Sequence, residues 1–217
     1  MKTEADFAII GGGIVGLSVA HGLLKKGYSV ICIDGSDTDF RASRGNFGLV
    51  WVQGKGIKAP FYAAWTQNAA RLYPDFVSEL SQETGVQINF NQVGGYEYFT
   101  EPHVLSQRMD EYKQLKKALN GDYPYEFLSS TEIHSAEPMV AGETVGASFY
   151  PHDGHLNPLQ LLKALASYCH KKGLSHYLGE ELEVADKKEG VFKLVTKKGL
   201  TISASKVIVG AGLGAKK

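Results

Sequence analysis

Three glycines and one acid carry the most specific chemistry in the sequence. Gly11, Gly13 and Gly16 stand at G-x-G-x-x-G spacing, with Ile14 and Val15 between the last two. Asp34 follows about twenty residues past them. Each position has a duty in holding a pyrophosphate. Gly11 lets the chain turn sharply, Gly13 has no Cβ to keep a phosphate from the backbone, and Gly16 lets a helix lie close to a sheet. The free N–H groups at the helix start point at the anion. The Asp34 carboxylate can accept from ribose hydroxyls, and its charge argues against the 2′-phosphate of NADP. The plain alternative is a glycine-rich turn in another α/β protein, with Asp34 as a solvated strand end.

The elements around these residues are in register with the reading. Residues 7–10 form an apolar run that predicts a strand, 14–25 a helix broken by Gly27, and 28–33 a second strand ending on Asp34. A dehydrogenase of the doubly wound kind would continue into a helix and a third parallel strand. Residues 35–58 do neither: they start at Gly35, are rich in Gly, Ser, Arg and Asn, and turn apolar at 47–52. Ser43, Arg44 and Asn46 offer donors to an anion, while Gly45 and Gly48 permit close backbone approach to a flat ring. A solvated loop before an edge strand is the competing reading of this stretch.

Composition narrows the class. The chain has 217 residues, formal net charge zero, 43% hydrophobic and 21% charged residues, an ordinary globular balance. No basic excess points to nucleic acid, and nothing indicates membrane association. Glu4 and Asp6 sit where a signal peptide needs basic residues. Cys32 and Cys169 form no metal or CxxC spacing, so a reduced, cytoplasmic compartment is expected.

Further along, aromatic and apolar residues from Tyr62 to Leu80 recur at helical spacing over 59–84, with Pro74 as a candidate kink. Residues 86–100 predict two strands around Gly94-Gly95, or one bulged strand; 103–119 a helix; 125–128 a strand; and Ser129 or Ser130 the cap of another helix. Residues 145–150 predict a strand. His152, Asp153 and His155 at a Pro/Gly turn invite a metal reading, but no fourth ligand is nearby, so no metal is expected. Asn157-Pro158 caps a helix to Lys172-Gly173. Residues 174–184 read as strand, 191–196 and 200–203 as a hairpin, and 206–212 as a strand running into small residues.

In this order the chain resembles the N-terminal part of the D-amino acid oxidase-like family of FAD-dependent oxidoreductases. Three tracts carry the likeness: Gly11 to Asp34; FYPHDGHLNPLQLLKAL within 145–165; and KVIVGAG at 206–212. ASRGNFGLVW at 42–51 looks closest to the opine oxidase and cyanide synthase-type members. The resemblance implies an α/β fold: a Rossmann-like FAD-binding domain in two segments, 1–88 and 151–217, with a partial α+β substrate domain at 89–150. It implies that Gly11, Gly13, Gly16 and Asp34 hold the ADP half of FAD, with Ile14, Val15 and Gly35 beside them. Ser43, Arg44, Gly45, Asn46, Gly48 and Leu49 would follow the pyrophosphate, ribityl chain and flavin. Leu182 falls where the family contacts adenine through its backbone, and Ala211 and Gly212 in the second strand-turn motif. No catalytic residue is assigned.

The chemistry so implied is oxidation of a C–N bond in a small amine or amino acid, of D-amino acid, glycine, sarcosine or opine type, by hydride transfer to flavin. Other subunits of a heteromeric oxidase are candidate partners. Residues 35–58 hold neither His nor Cys, so non-covalent FAD is expected. Relatives of this kind run well beyond residue 217, so the expectation is a chain lacking its C-terminal half and inactive alone. An NAD-dependent dehydrogenase and a non-catalytic nucleotide-binding chain are the alternatives.

Overall fold

The computed structural model describes residues 3–36, 41–140 and 142–216. Strand β1 (Glu4–Ile10), helix α1 (Ile14–Lys25) and strand β2 (Val30–Asp34) form the opening unit. Every residue of β2 but Asp34 is buried, as a strand flanked on both sides and covered on both faces requires. After a turn at 41–46 comes the two-residue strand β3 (Leu49–Val50), then helix α2 (Pro60–Thr84). β4 (Phe90–Asn91), β5 (Gly95–Phe99), α3 (Pro102–Ala118), β6 (Glu126–Ser129), α4 (Ser130–Ala136), β7 (Gly146–Tyr150) and β8 (Gly154–Leu156) follow. The chain finishes with α5 (Pro158–Lys171), β9 (Ser175–Leu178), β10 (Leu182–Lys188), β11 (Val191–Thr196), β12 (Thr201–Val209) and a 3₁₀ turn at Gly212–Lys216.

Contacts divide these elements into two units. The first holds residues 1–46, 78–88 and 157–217; the second holds 47–77 and 89–156. The helix α2 starts in the second and ends in the first, so 47–77 groups with residues that the sequence reading gave to a separate segment.

The first unit is a six-stranded sheet in the order β10-β11-β12-β1-β2-β9, with β12, β1, β2 and β9 parallel and β10 and β11 an antiparallel extension. Helices α1 and α5 pack together, with the His21 and Tyr168 rings 4.4 Å apart and the Cys169 thiol donating to the Leu17 carbonyl at 3.6 Å. A separate buried cluster joins Ala8, Ile31 and Ile33 to Leu194, Ile202 and Ala204. Asn157 caps α5 as expected, its side chain accepting from the N–H groups of Leu159 and Gln160. Two expectations are corrected here. Residues 174–184 are not one strand: Gly179, at φ +73°, separates β9 on one edge from β10 on the other. The apolar pieces at 200–203 and 206–212 are one strand, β12, broad enough to pair with β11 and β1 on its two sides.

The second unit has two three-stranded antiparallel sheets, β3-β8-β4 and β5-β7-β6. The tract at 86–100 makes no hairpin, because β4 and β5 join different sheets. Gly94 between them has φ +95°, and a Cβ there would lie 2.2 Å from the Phe149 ring. Tyr112, Tyr123, Tyr125, Phe127 and Tyr150 pack edge-on and tilted at 5.1–6.0 Å in the interior. Ser129 caps α4 with a full capping box, its hydroxyl bonded to Glu132 N–H and the Glu132 carboxylate returning to Ser129 N–H.

Pro74 does not end α2. Lacking an N–H, it leaves the Ala70 carbonyl one turn earlier without its helical donor. The Gln92 side-chain amide supplies that donor at 3.0 Å, and also donates to the His152 carbonyl at 2.8 Å.

Candidate functional site

The glycine turn joins the end of β1 to the start of α1, and its geometry assigns each glycine a separate constraint. Gly11 has φ +105°, donates its N–H to Ile33 O at 2.8 Å, and a Cβ on it would lie 2.6 Å from the Gly210 carbonyl oxygen. Gly16 is excluded from carrying a side chain by the turn itself, since its Cβ would sit 1.9 Å from Gly11 O. Gly13 is the N-cap of α1, and a Cβ there would approach Ser43 Oγ at 3.0 Å. Gly210 and Ala211 follow β12 against the same turn: Gly210 N–H donates to Ile10 O, and Ala211 Cα lies 2.8 Å from where a Gly11 Cβ would stand, whereas a Cβ on Gly212 would have nothing within 4 Å.

Helix α1 has no acidic residue in its first turn, so its positive end is left for an anion. Ser43 reaches it from the turn at 41–46: the Ile14 N–H donates to Ser43 Oγ at 2.9 Å. Val15, the next residue, is largely exposed. The 41–46 turn closes on itself through Arg44 N–H and Gly45 N–H to Arg41 O, and Asn46 Nδ2 to Ala42 O.

Sequence reasoning missed the residue that anchors this turn. Arg41 Nη1 lies 2.8 Å from both Asp34 carboxylate oxygens, and Nη2 donates to the Gly35 and Ser36 carbonyls. The pair is mostly shielded, with side-chain exposures of 24% and 13%. An arginine shortly after the fingerprint acid was the available signal. A second missed residue is His176 on β9, opposite Cys32 of β2. A Cβ on Gly12 would lie 2.8 Å from His176 Nε2 and 3.0 Å from the Asp34 carboxylate, so both groups border one point of the turn. Burial, and then the neighbouring His170, hold the His176 imidazole below its ordinary pKa, against an opposing pull from Asp34. Leu182 opens β10, half-buried on the sheet cluster, just after Glu180, whose N–H donates to Asp34 O, and Glu181, whose Cγ is 3.1 Å from a Cβ on Gly35.

Gly48 and Leu49 belong to the second unit. Gly48, at φ +67°, accepts from Leu156 N–H at 2.9 Å, and Leu49 pairs with His155. The stretch that follows is fixed by Asp153, fully buried, whose Oδ1 accepts from Val52 N–H at 2.5 Å. Gln53 continues the network, its amide donating to Gly95 O and its oxygen accepting from Ser148 Oγ. Burial pushes the Asp153 carboxyl up to about 6 despite the Val52 and Gln53 hydrogen bonds that pull it down. The acid of the HDGH tract is thus a support for the backbone at 52–53.

The donor set fits the ADP half of a dinucleotide. Backbone bars side chains from Gly11 and Gly16, a helix end with no acidic residue in its first turn adjoins them, and the Asp34 carboxylate of β2 and the His176 imidazole of β9 both border Gly12. A family described as "FAD dependent oxidoreductase" (DAO) matches residues 6–217. An opine oxidase subunit of Rhizobium meliloti is 33% identical over 97% of this chain and 57% of its own length. Rat mitochondrial dimethylglycine dehydrogenase is 28% identical over 99% of this chain and 24% of its own. The crystal structure of glycine oxidase from Geobacillus kaustophilus superimposes with TM-score 0.87 at 23% identity, over 97% of this chain and 56% of that one, a likeness of fold. The chain therefore spans a little over half the length of its opine oxidase relative.

Proposed function

Because the chain belongs to the DAO family of FAD-dependent oxidoreductases, we propose that it supplies the nucleotide-binding part of an enzyme oxidising the C–N bond of a small amine or amino acid. The observation that carries this reading is the convergence of the Gly11 turn, the Ser43 hydroxyl on Ile14 N–H and the Asp34 carboxylate at one end of the parallel sheet. Flavin, when bound, supplies the hydride acceptor for the amine-bearing carbon.

The chain's own residues bind and orient. Helix α1 presents its N-terminal N–H groups to the pyrophosphate, and Ser43 can turn its hydroxyl from accepting to donating as the anion arrives. Asp34 accepts from ribose, held in place by Arg41. Leu182 offers backbone to adenine. Within the second unit, Asp153 steadies the backbone that follows Gly48 and Leu49. FAD is held without a covalent link, since residues 35–58 offer neither thiol nor imidazole.

Likeness to an opine oxidase subunit favours a secondary amine carrying carboxylates as substrate, and further subunits as partners in a heteromeric, cytoplasmic oxidase. No helix among the described residues is long and apolar enough to cross a membrane. The test is anaerobic bleaching of the flavin in the purified protein by opines, glycine, sarcosine, dimethylglycine and D-amino acids, beside FAD and NAD titrations. In the assembled enzyme, bleaching by opines before the others is expected; NAD binding by this chain without flavin binding would overturn the reading.

A further inference from the structure

We propose that His176 is a second reader of the adenosine ribose, acting beside Asp34; this rests on the nucleotide reading above. The strand β9 pairs in parallel with β2, with Cys32 opposite His176 and Asp34 opposite Leu178. That register brings the imidazole to the glycine turn, where Nε2 and the Asp34 carboxylate approach the Cβ position of Gly12 at 2.8 and 3.0 Å. His176 Nε2 is buried and has no hydrogen-bond partner among the described residues. Most buried polar side-chain atoms have a hydrogen-bond partner, so an open Nε2 beside the glycine turn points to a ligand. Here one nitrogen is satisfied: Nδ1 lies 3.2 Å from His170 Nε2.

The His170 contact makes Nε2 useful in either tautomer. If His170 donates, His176 Nε2 carries the proton and donates to a ribose oxygen. If His176 Nδ1 donates, Nε2 accepts from a ribose hydroxyl. Asp34 only accepts, so the two groups together can meet both faces of a vicinal diol. Arg41, the other charged group here, is already turned to Asp34 and to the Gly35 and Ser36 carbonyls.

The experiment is calorimetric titration of the wild type, His176→Leu and His176→Gln with ADP, 2′-deoxy-ADP and 3′-deoxy-ADP. Loss of one neutral hydrogen bond should weaken ADP binding by about three- to tenfold in His176→Leu. The penalty for one of the deoxy ligands should shrink by the same factor, which a purely structural role would not produce. In the wild type, the ¹⁵N resonance of His176 Nε2 should move when ADP is added, a readout that needs no folded variant. Equal deoxy penalties in wild type and variants, or an unmoved resonance in ADP-saturated protein, overturn the proposal. Failure of the wild type to bind ADP at all overturns the nucleotide reading and this inference with it.

Discussion

Gly16 and Gly22 lie on the same helix but differ in what a methyl group would meet. At Gly16 the Cβ would stand 1.9 Å from Gly11 O; at Gly22 nothing lies within 4 Å. Gly22→Ala should therefore stabilise the chain by roughly 0.5–1 kcal/mol through helix propensity, while Gly16→Ala should lose nucleotide binding and several kcal/mol, on the order of an overpacked core. Urea unfolding of the two variants checks the contrast, and equal behaviour would contradict it. Asp34→Ala should weaken FAD binding by about 1.5–3 kcal/mol, the worth of a charge-assisted hydrogen bond, measured by flavin titration. Asp153 gives a pH signature. Its folded pKa, about 6, lies above the ordinary 3.8, so its protonation stabilises the fold fully below pH 3.8 and that contribution is lost as pH rises through 6. Relative to Asp153→Asn, the wild type should lose up to about 3 kcal/mol between pH 4 and 7. Unfolding free energies of both proteins across that range test it; a constant difference would show that Asp153 does not titrate there.

At the scale of elements, the helix α2 and the residue that repairs it make a closed test. Gln92→Ala leaves the Ala70 and His152 carbonyls without the amide that meets them, at a cost of about 1–3 kcal/mol. In a Pro74→Ala background the cost should fall, because an N–H at position 74 can bond Ala70 O directly. A double-mutant cycle by urea unfolding reads the coupling, and additivity would remove the argument. Local signals were legible in the sequence: the turn glycines, the caps at Ser129 and Asn157, and the helical stripe from Tyr62 to Leu80. Groups defined by topology were not. His176 lies in a tract read only as strand, and its meaning depends on β9 lying beside β2. Asp153 was weighed among neighbouring histidines as a metal ligand, whereas its partner is the N–H of Val52, far away in sequence. Gly179 and the two glutamates after it split the tract at 174–184 into two strands.

For the molecule as a whole, β12 is the strand that closes the first unit. It lies between β1 and β11, and the residues after it press on Gly11. A chain ended at Gly199 should lose ADP binding and the cooperative unfolding of the sheet, checked by calorimetry and circular dichroism; undiminished ADP affinity would count against it. The pairing of β1 with β12 brings Ala5 beside Ala204, partners about two hundred residues apart. On a ribosome, β1 must therefore wait about two hundred residues for β12 before its edge on that side is covered. Until then its apolar edge and the glycine turn are open to solvent, to chaperones and to other nascent chains. The nucleotide cradle is thus begun at Gly11 but takes its shape only near residue 210, so the yield of folded protein should respond to how fast the residues between β1 and β12 are translated.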